Sequence, residues 1–228
     1  MKCIAVLLKE PLPGKVKTRL VADGVSQELV LPLYKAFLTD TLDLAQFVAS
    51  DWKWAFIAPG ASARFQEEIR QKGFAVFEQQ GRDLGERIAH LFQTAFAQGA
   101  TQVVALGSDS PSLPPALIEE AFEALNQSQV VLGPAQDGGY YLIGMSSFTP
   151  EVFQQITWSR EQVLQQTLDR LEQNGKLGKA HLLPMWYDID QKKDLQLLTS
   201  HLKVLSQASP PFFPASTWQV LQPTCVTK

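Results

Sequence analysis

The sequence of 228 residues predicts a three-layer α/β sandwich, in which helices cover both faces of one sheet. Two observations lead to this fold class. Short apolar runs alternate along the chain with longer segments of helical periodicity. The first run, Cys3 to Leu8, is continuously apolar, which is typical of a strand buried on both faces in a parallel sheet. The length suits one large domain, 1–228, with a well-buried core.

The first half of the chain alternates regularly. We predict strands at 3–8, 54–58, 74–77 and 103–106, and helices at about 26–48, at about 63–72 and from residue 84 onward. The helix from Leu84 is indicated by apolar residues at helical spacing: Ile88, Leu91, Phe92, Ala95 and Phe96. Pro59-Gly60 ends the second strand, and Gly73 separates a helix from the third.

The second half continues the alternation up to about His201. We predict helices near 115–125, 150–155, 160–174 and 192–201, and strands at 130–132, 140–144 and 181–183. From Ser209 the chain is rich in proline and aromatic residues, so we expect a tail, 209–228, that is irregular and packed on the surface.

Composition excludes several classes of function. The net charge is −3 and the isoelectric point is near 5.6, so no overall positive field would draw the chain onto nucleic acid. Cys3 and Cys225 lie at opposite ends without metal-ligand spacing, which indicates two separate reduced thiols. No apolar run approaches a membrane span or a signal-peptide core. We therefore expect a soluble, cytoplasmic protein, whose oligomeric state the sequence does not indicate.

The loop from Lys9 to Leu20 leaves the first strand at the edge where open α/β sheets bind ligands. Its candidate phosphate ligands are Lys9, Gly14, Lys15, Lys17, Thr18 and Arg19. Lysine supplies a compact charge, arginine a planar fork, and glycine lets backbone N–H groups approach an anion. The alternative is a solvated basic turn. The loop matches neither G-x-x-x-x-G-K-[ST] nor G-x-G-x-x-G, which disfavours Walker-type ATPases and Rossmann dehydrogenases.

Aspartates follow two predicted strands and are candidate ligands for Mg²⁺ or Mn²⁺. Asp109, with Ser108 beside it, comes directly after the strand at 103–106, although it could instead cap the next turn. Asp188 and Asp190 flank Ile189 and should point to one side. Asp190 could instead cap the helix from Lys192. A metal site needs carboxylates from separate strands, and these three aspartates are the best candidates.

Two further segments have both a structural and a functional interpretation. Asp137-Gly138-Gly139-Tyr140 lies between two apolar runs, as in a hairpin turn. The glycines could equally let backbone approach a ligand while Asp137 binds hydroxyls or acts as a base. The segment 80–87 could line a base or sugar pocket, but helix-entry chemistry explains most of it.

Four motifs in order resemble the GT-A-type nucleotide-diphospho-sugar transferase superfamily. They are K-x-P-x-P-G-x-V-K-T-R-L from Lys9, G-S-D-x-P from Gly107, G-P-x-x-D-G-G-Y-Y-L-I-G from Gly133, and D-I-D from Asp188. The resemblance covers about Met1 to His201 and is nearest to a small bacterial subgroup of uncharacterised proteins described as candidate glycosyltransferases. Molybdenum-cofactor and coenzyme-F420 guanylyl- or cytidylyltransferases share the wider fold.

The resemblance implies a mixed, mostly parallel sheet with a nucleotide across the strand ends. By motif match, the phosphates would be held by Gly14, Lys17, Thr18 and Arg19. The metal would be held by Asp109 and Asp190, with Asp188 as the alternative to Asp190. The sugar or acceptor would be bound by Asp137, Gly138, Gly139 and Tyr140. The catalytic set would then be Lys17, Arg19, Asp109 and Asp137. Classical sugar transferases of this superfamily carry D-x-D, whereas this chain has Gly107-Ser108-Asp109 and lacks the first acid. That departure, and a first loop of prolines and lysines, is closer to the nucleotidyltransferases.

We therefore expect a metal-dependent transferase that uses a nucleotide sugar and a small-molecule acceptor. The alternative is a nucleotidyltransferase, in which a phosphorylated acceptor attacks the α-phosphate of an NTP and pyrophosphate leaves. A further alternative is a non-catalytic nucleotide-binding protein. Retention of opposed charges at Lys17, Arg19, Asp109 and Asp190 argues against it.

Overall fold

A computed structural model describes residues 1–222 and confirms the fold class: one mixed sheet of seven strands with helices on both faces. The strands are β1 Lys2–Leu8, β2 Trp52–Ile57, β3 Ala75–Glu78, β4 Gln102–Leu106, β5 Val130–Pro134, β6 Tyr140–Met145 and β7 Ala180–Leu182. The α-helices are α1 Thr18–Ala22, α2 Gln27–Phe47, α3 Ala63–Gln71, α4 Leu84–Ala97, α5 Pro115–Ala124, α6 Val163–Gln173, α7 Lys192–Ala208 and α8 Ala215–Leu221.

The strand order is β3-β2-β1-β4-β6-β5-β7. Strand β6 runs antiparallel to both of its neighbours, and all other pairs are parallel. The carboxyl ends of β1, β4 and β5 therefore meet at one edge of the sheet. The short turn that joins β5 to β6 lies at the same edge. Every predicted ligand-binding segment is thus brought to one side of the molecule.

The sheet is buried on both faces, as the continuous apolar run of β1 predicts. Ile4, Val6 and Leu8 pack into one core with α2, α3 and α5. Cys3 and Ala5 point the other way, into a core formed with α4 and α6. The alternation of side chains along a strand is what divides these residues between the two layers.

A third apolar cluster connects the first loop to the D-I-D segment. Leu20 of α1, Leu33 and Phe37 of α2, Ile189 of the D-I-D segment and Leu198 of α7 are all fully buried in it. Burial of Leu20 and Ile189 fixes the two segments that carry Lys17 and Asp190. The cluster therefore positions charged residues that lie far apart in the sequence.

The structure differs from four expectations about the helices. The expected helix at 150–155 is a 3₁₀ turn, Pro150–Phe153, and the helix expected from residue 160 begins only at Val163. Helix α7 continues to Ala208, beyond the expected end at His201. The tail expected to be irregular contains α8, because buried Asp40 of α2 accepts hydrogen bonds from the backbone N–H groups of Ser216 and Thr217 and so caps that helix.

Two further expectations concern the thiols and the membrane. Cys3 is buried and is the only cysteine among residues 1–222. Cys225 lies outside the described residues. Within residues 1–222, every helix is too short or too polar to cross a bilayer.

Candidate active site

A cleft of about 1350 Å³ opens at the carboxyl edge of the sheet. It is lined by the first loop, by the segment after β4, by the β5–β6 turn, by the D-I-D segment, by the start of α4 and by residues 158–163. Its volume exceeds that of most small-molecule pockets, and it is large enough for a nucleotide together with a second substrate. All predicted site residues except Gly14 contribute to its lining.

Lys17 is the most buried charge in the cleft. Its side chain is only 4% exposed, and its Nζ lies 2.7 Å from Asp109 Oδ1 and 3.0 Å from Asp190 Oδ1. Nζ also donates to the carbonyl oxygen of Ile189 at 2.6 Å. Burial opposes the charge of Lys17, but Asp109 and Asp190 outweigh it and raise the pKa of the ammonium. Lys17 is therefore an ion held between the segment after β4 and the D-I-D segment, and its three N–H donors already have partners.

The first loop owes its shape to local contacts. Gly14 has a φ of +68°, a left-handed conformation that glycine adopts without strain. Glu10 accepts hydrogen bonds from the backbone N–H of Ser62 at 2.8 Å and from its hydroxyl at 2.6 Å, which ties the loop to α3. Lys17 also has a left-handed φ, +48°, at the start of α1. This unusual backbone directs its side chain inward.

Arg19 extends the same ionic network towards solvent. Its Nη1 lies 3.0 Å from Asp190 Oδ2, and its side chain is 63% exposed. Burial opposes ionisation of Asp190, but the cations Lys17 and Arg19 hold the pKa of its carboxyl below the usual value. The alternative in which Asp190 caps α7 is wrong: the N-cap is Gln191, which forms a capping box with Asp194.

Three carboxylates gather beside this network. One oxygen from each of Asp137, Asp188 and Asp190 lies within 4.8 Å of the others. Burial, together with the negative charges of Asp137 and Asp190, raises the pKa of Asp188 to about 7. Oxygen ligands at this spacing suit a hard divalent cation such as Mg²⁺ or Mn²⁺.

The cluster differs from the predicted metal set in one member. Asp188 and Asp190 are both in it, and which of them would bind a metal stays a prediction. Asp109 is not in it; its carboxylate lies 2.7 Å from the Lys17 ammonium. Asp137, predicted on the acceptor side, takes its place. Asp109 as a metal ligand stays a prediction, and the geometry favours Asp137 in its stead.

The segment Asp137-Gly138-Gly139 forms the expected turn between β5 and β6, and its functional interpretation stays a prediction. Asp137 Oδ1 accepts a hydrogen bond from the N–H of Gly139 at 2.9 Å, which closes the tight turn. The backbone N–H of Trp186 donates to the carbonyl oxygen of Pro134, and the carbonyl oxygen of Trp186 accepts from the N–H of Gln136. The chain that leads into the D-I-D segment therefore runs beside the end of β5. This pairing is what brings Asp137 next to Asp188.

The other predicted residues divide into exposed and buried groups. Lys9, Lys15 and Thr18 are exposed and line the cleft, where they are free to meet an anion. Ser108 is buried, and its hydroxyl lies 3.4 Å from that of Tyr34, a residue that sequence reasoning missed. Tyr140 packs edge-on against Trp158, with ring centroids 6.4 Å apart. It supports the cleft wall, and burial raises the pKa of its hydroxyl. Binding of phosphate or acceptor by these residues stays a prediction.

The segment 80–87 performs the helix-entry role and also lines the cleft. Asp83 caps α4 by accepting from the N–H of Glu86 at 2.8 Å. Arg82 pairs with Glu86. Arg87 donates its Nε to the carbonyl oxygen of Gly81 at 3.2 Å. Sequence reasoning missed one more part of the site, Trp158 and Arg160. Their signal was a tryptophan and an arginine in a polar stretch: Trp158 falls between two predicted helices, and Arg160 falls at the start of the predicted helix 160–174.

Solved structures with the same fold include transferases of two kinds. A protein from Desulfovibrio desulfuricans G20, provisionally described as a nucleotide-diphospho-sugar transferase, is 34% identical, with a TM-score of 0.86 over 97% of this chain and 94% of that one. CMP:2-keto-3-deoxy-manno-octonic acid synthetase complexed with CTP is 12% identical, with a TM-score of 0.55 over 91% and 99% of the two chains.

Glucosyl-3-phosphoglycerate synthase from Mycobacterium tuberculosis, in complex with Mn²⁺, UDP and phosphoglyceric acid, is 10% identical, with a TM-score of 0.52 over 92% and 79% of the two chains. At such low identities, this similarity and that to the CTP complex show the fold alone. No curated protein matches the sequence.

A family model described as "Uncharacterized protein conserved in bacteria" (DUF2064) matches residues 42–160. That segment contains Asp109, Asp137 and the arginine at its end, Arg160, so it includes three parts of the cleft. The relative from Desulfovibrio extends the similarity to nearly the whole chain. The chain therefore belongs to the DUF2064 family of bacterial proteins and has the nucleotide-diphospho-sugar transferase fold.

Proposed function

We propose that this protein is a metal-dependent transferase that uses a nucleotide-diphospho-sugar donor and a small-molecule acceptor. The observation that carries the proposal is the carboxylate cluster of Asp137, Asp188 and Asp190, which lies beside the basic first loop in one large cleft. Carboxylates that lie beside basic side chains at the carboxyl edge of the sheet suit a divalent cation and the diphosphate that it binds. The similarity to the Desulfovibrio protein supports the same class of donor.

The residues present fit Mg²⁺ or Mn²⁺. Asp188 and Asp190 come from one extended segment and offer oxygens on the same side, while Ile189 between them is fully buried. Burial and then repulsion among the carboxylates raise the pKa of Asp188, and a bound cation would favour its charged form. The cation would neutralise the charge that develops on a diphosphate leaving group.

The chain's own residues divide the remaining tasks. Lys9 and Lys15 are exposed along the cleft, and Arg19 has most of its guanidinium in solvent, so these three are placed to bind phosphate oxygens. Lys17 has no free donor in its present contacts and acts through Asp109 and Asp190, whose positions it fixes. Asp137 is the exposed member of the cluster and is placed to accept a proton from an acceptor hydroxyl.

Nucleotidyl transfer is the second candidate, and one observation favours it. Glycine precedes Ser108 and Asp109, so the first acid of a D-x-D motif is absent, and Asp109 is neutralised by Lys17. In this reaction pyrophosphate would leave towards the exposed Lys15 and Arg19. Positioning and electrostatics dominate such transfers, so no general base is required.

A thermal-shift panel tests both candidates. Nucleotide-diphospho-sugars and NTPs are compared with and without Mg²⁺ or Mn²⁺, because a ligand of the native state raises the melting temperature by mass action. A metal-dependent preference for UDP- or GDP-sugars supports sugar transfer, and a preference for CTP or GTP supports nucleotidyl transfer. Absence of any metal-dependent nucleotide shift would refute both.

The matched variants are Asp188→Asn, which should abolish the metal dependence, and Glu68→Gln. Glu68 is an exposed carboxylate on α3, paired with Arg64 outside the cleft, so its removal should leave the metal response unchanged.

A further inference from the structure

Residues 158–161 form a strap along one wall of the cleft, fixed at both ends by contact with a glycine. The indole of Trp158 packs so closely on Gly85 of α4 that a Cβ at this glycine would overlap the ring. At the other end, a Cβ on Gly138 would overlap the carbonyl oxygen of Glu161. The strap therefore joins the start of α4 to the turn that carries Asp137.

The backbone around the strap is strained. Gln155 and Ser159 have φ angles of +56° and +62°, left-handed values that residues with a side chain seldom adopt. Such conformations persist only where the surroundings impose them, and they concentrate at binding sites. Trp158 supplies that constraint, since it also packs on Phe153, with ring centroids 6.5 Å apart. The residue after Ser159 therefore lies in a segment whose backbone is constrained.

That residue is Arg160, which is exposed and lines the cleft. Among residues 1–222, no carboxylate lies within 4.0 Å of its guanidinium, in contrast to Arg19, which pairs with Asp190, and Arg82, which pairs with Glu86. An arginine held in a cleft without an acidic partner is suited to a planar anion, because its fork matches a carboxylate or phosphate in two places.

We infer that Arg160 determines the acceptor class by binding an anionic group, a carboxylate or a phosphate, on the acceptor. This inference rests on the proposed function. The position of the strap distinguishes acceptor from donor. Arg19 contacts the carboxylate cluster at Asp190, on the side of the first loop, whereas the strap contacts the turn of Asp137 and Gly138. The strap that carries Arg160 therefore borders the cleft beside the Asp137 turn, whereas the residues assigned to the donor phosphates belong to the first loop.

Calorimetric titration tests the inference. The protein is first saturated with Mn²⁺ and with the nucleoside diphosphate that gives the largest thermal shift, so that the donor site is filled. Glycerol 3-phosphate then serves as the anionic probe and glycerol as its neutral counterpart. We expect glycerol 3-phosphate to bind more tightly than glycerol, and Arg160→Gln to weaken that binding about 10-fold or more. Arg160→Lys should retain part of the affinity, and the affinity for the nucleoside diphosphate should be unchanged in both.

Arg64→Gln is the control, because Arg64 is an exposed arginine on α3 outside the cleft. Equal affinity for glycerol 3-phosphate in the wild type and Arg160→Gln, including no binding to either, would overturn the inference. So would a parallel loss of nucleotide affinity, which would place Arg160 on the donor. Either result would leave the proposed function unaffected, whereas absence of metal-dependent nucleotide binding would contradict both the proposed function and the inference about Arg160.

Discussion

The ammonium of Lys17 and the carboxylate of Asp190 lie 3.0 Å apart, although 172 residues separate them along the chain. Lys17 also binds Asp109, so one buried cation joins the first loop, the end of β4 and the D-I-D segment. The same Asp190 belongs to the carboxylate cluster. The contacts of Lys17 thus determine where a candidate metal ligand lies, and they suggest a positioning role in place of direct phosphate binding.

Replacing Lys17 should destabilise the fold. Lys17→Met leaves Asp109 and Asp190 without their shared cation, and we expect the free energy of unfolding to fall by about 2 kcal/mol, less than for fully buried pairs because both carboxylates are partly exposed. Urea unfolding measures the change. Lys15→Met is the control, since Lys15 is exposed in the same loop. Equal stability of the two variants would show that the network contributes nothing.

The charge of Asp188 should lower stability at neutral and higher pH. Its pKa in the fold is about 7, above the ordinary value of 3.8, so the folded state holds a proton more tightly than the unfolded chain does. This tighter proton binding contributes to the stability of the fold. The contribution is complete below pH ~4 and is lost as the pH rises to about 7. In EDTA, Asp188→Asn should therefore be more stable than the wild type at pH 8 by about 1 kcal/mol or more, and the difference should shrink towards pH 4.5.

Thermal unfolding of both proteins at the two pH values provides the measurement. A difference between them that does not change with pH would contradict the assignment of a raised pKa to Asp188.

The strap requires glycine at position 138. Gly138→Ala introduces a Cβ that overlaps Glu161, at a φ of +86°, whereas Gly24→Ala has nearly the same φ, +83°, with nothing within 4 Å. Both variants should show the strain of a left-handed alanine, about 1 kcal/mol. Gly138→Ala should lose a further ~1–3 kcal/mol in urea unfolding because the strap must shift. Equal losses in the two variants would mean that the contact with Glu161 does not constrain the strap.

Helix α8 should depend on Asp40. Asp40→Ala removes the acceptor for the N–H groups of Ser216 and Thr217, and we expect about 1 kcal/mol of lost stability. Amide hydrogen exchange should become faster in α8 before it does in β1. Asp43→Ala, which removes an exposed aspartate from the same helix, should leave α8 unchanged. Unchanged exchange in Asp40→Ala would show that other contacts hold the helix.

Much of the fold could be predicted because hydrophobic periodicity is local. The runs of β1 and β4 and the periodic face of α4 are legible from neighbouring residues alone. Helix α8 was not, because its N-terminal partner is Asp40, 176 residues away from Ser216. The start of α6 differs from the prediction for a related reason: Trp158 packs on Gly85, far away in the sequence, and the residues between Trp158 and Val163 stay outside the helix.

Part of the site could also be predicted, because the alternation of side chains along an extended segment is a local property. Alternation around Ile189 correctly indicated that Asp188 and Asp190 share a side, and Ile189 is fully buried. Local pattern could not show which of the charged residues would pair with each other. Lys17 was read as a free phosphate ligand, but three-dimensional packing places it between Asp109 and Asp190. Asp137 joins the carboxylates only because the D-I-D segment runs beside β5.

The central claim is that Asp188 and Asp190 hold a divalent cation against a nucleotide diphosphate. Calorimetric titration of Mn²⁺ into the protein at pH 8, with and without UDP, tests it most directly. We expect one Mn²⁺ per chain, bound more tightly with UDP, and a loss of affinity of at least 10-fold in Asp190→Asn but not in Glu68→Gln. Equal Mn²⁺ affinity in the wild type and Asp190→Asn would contradict it.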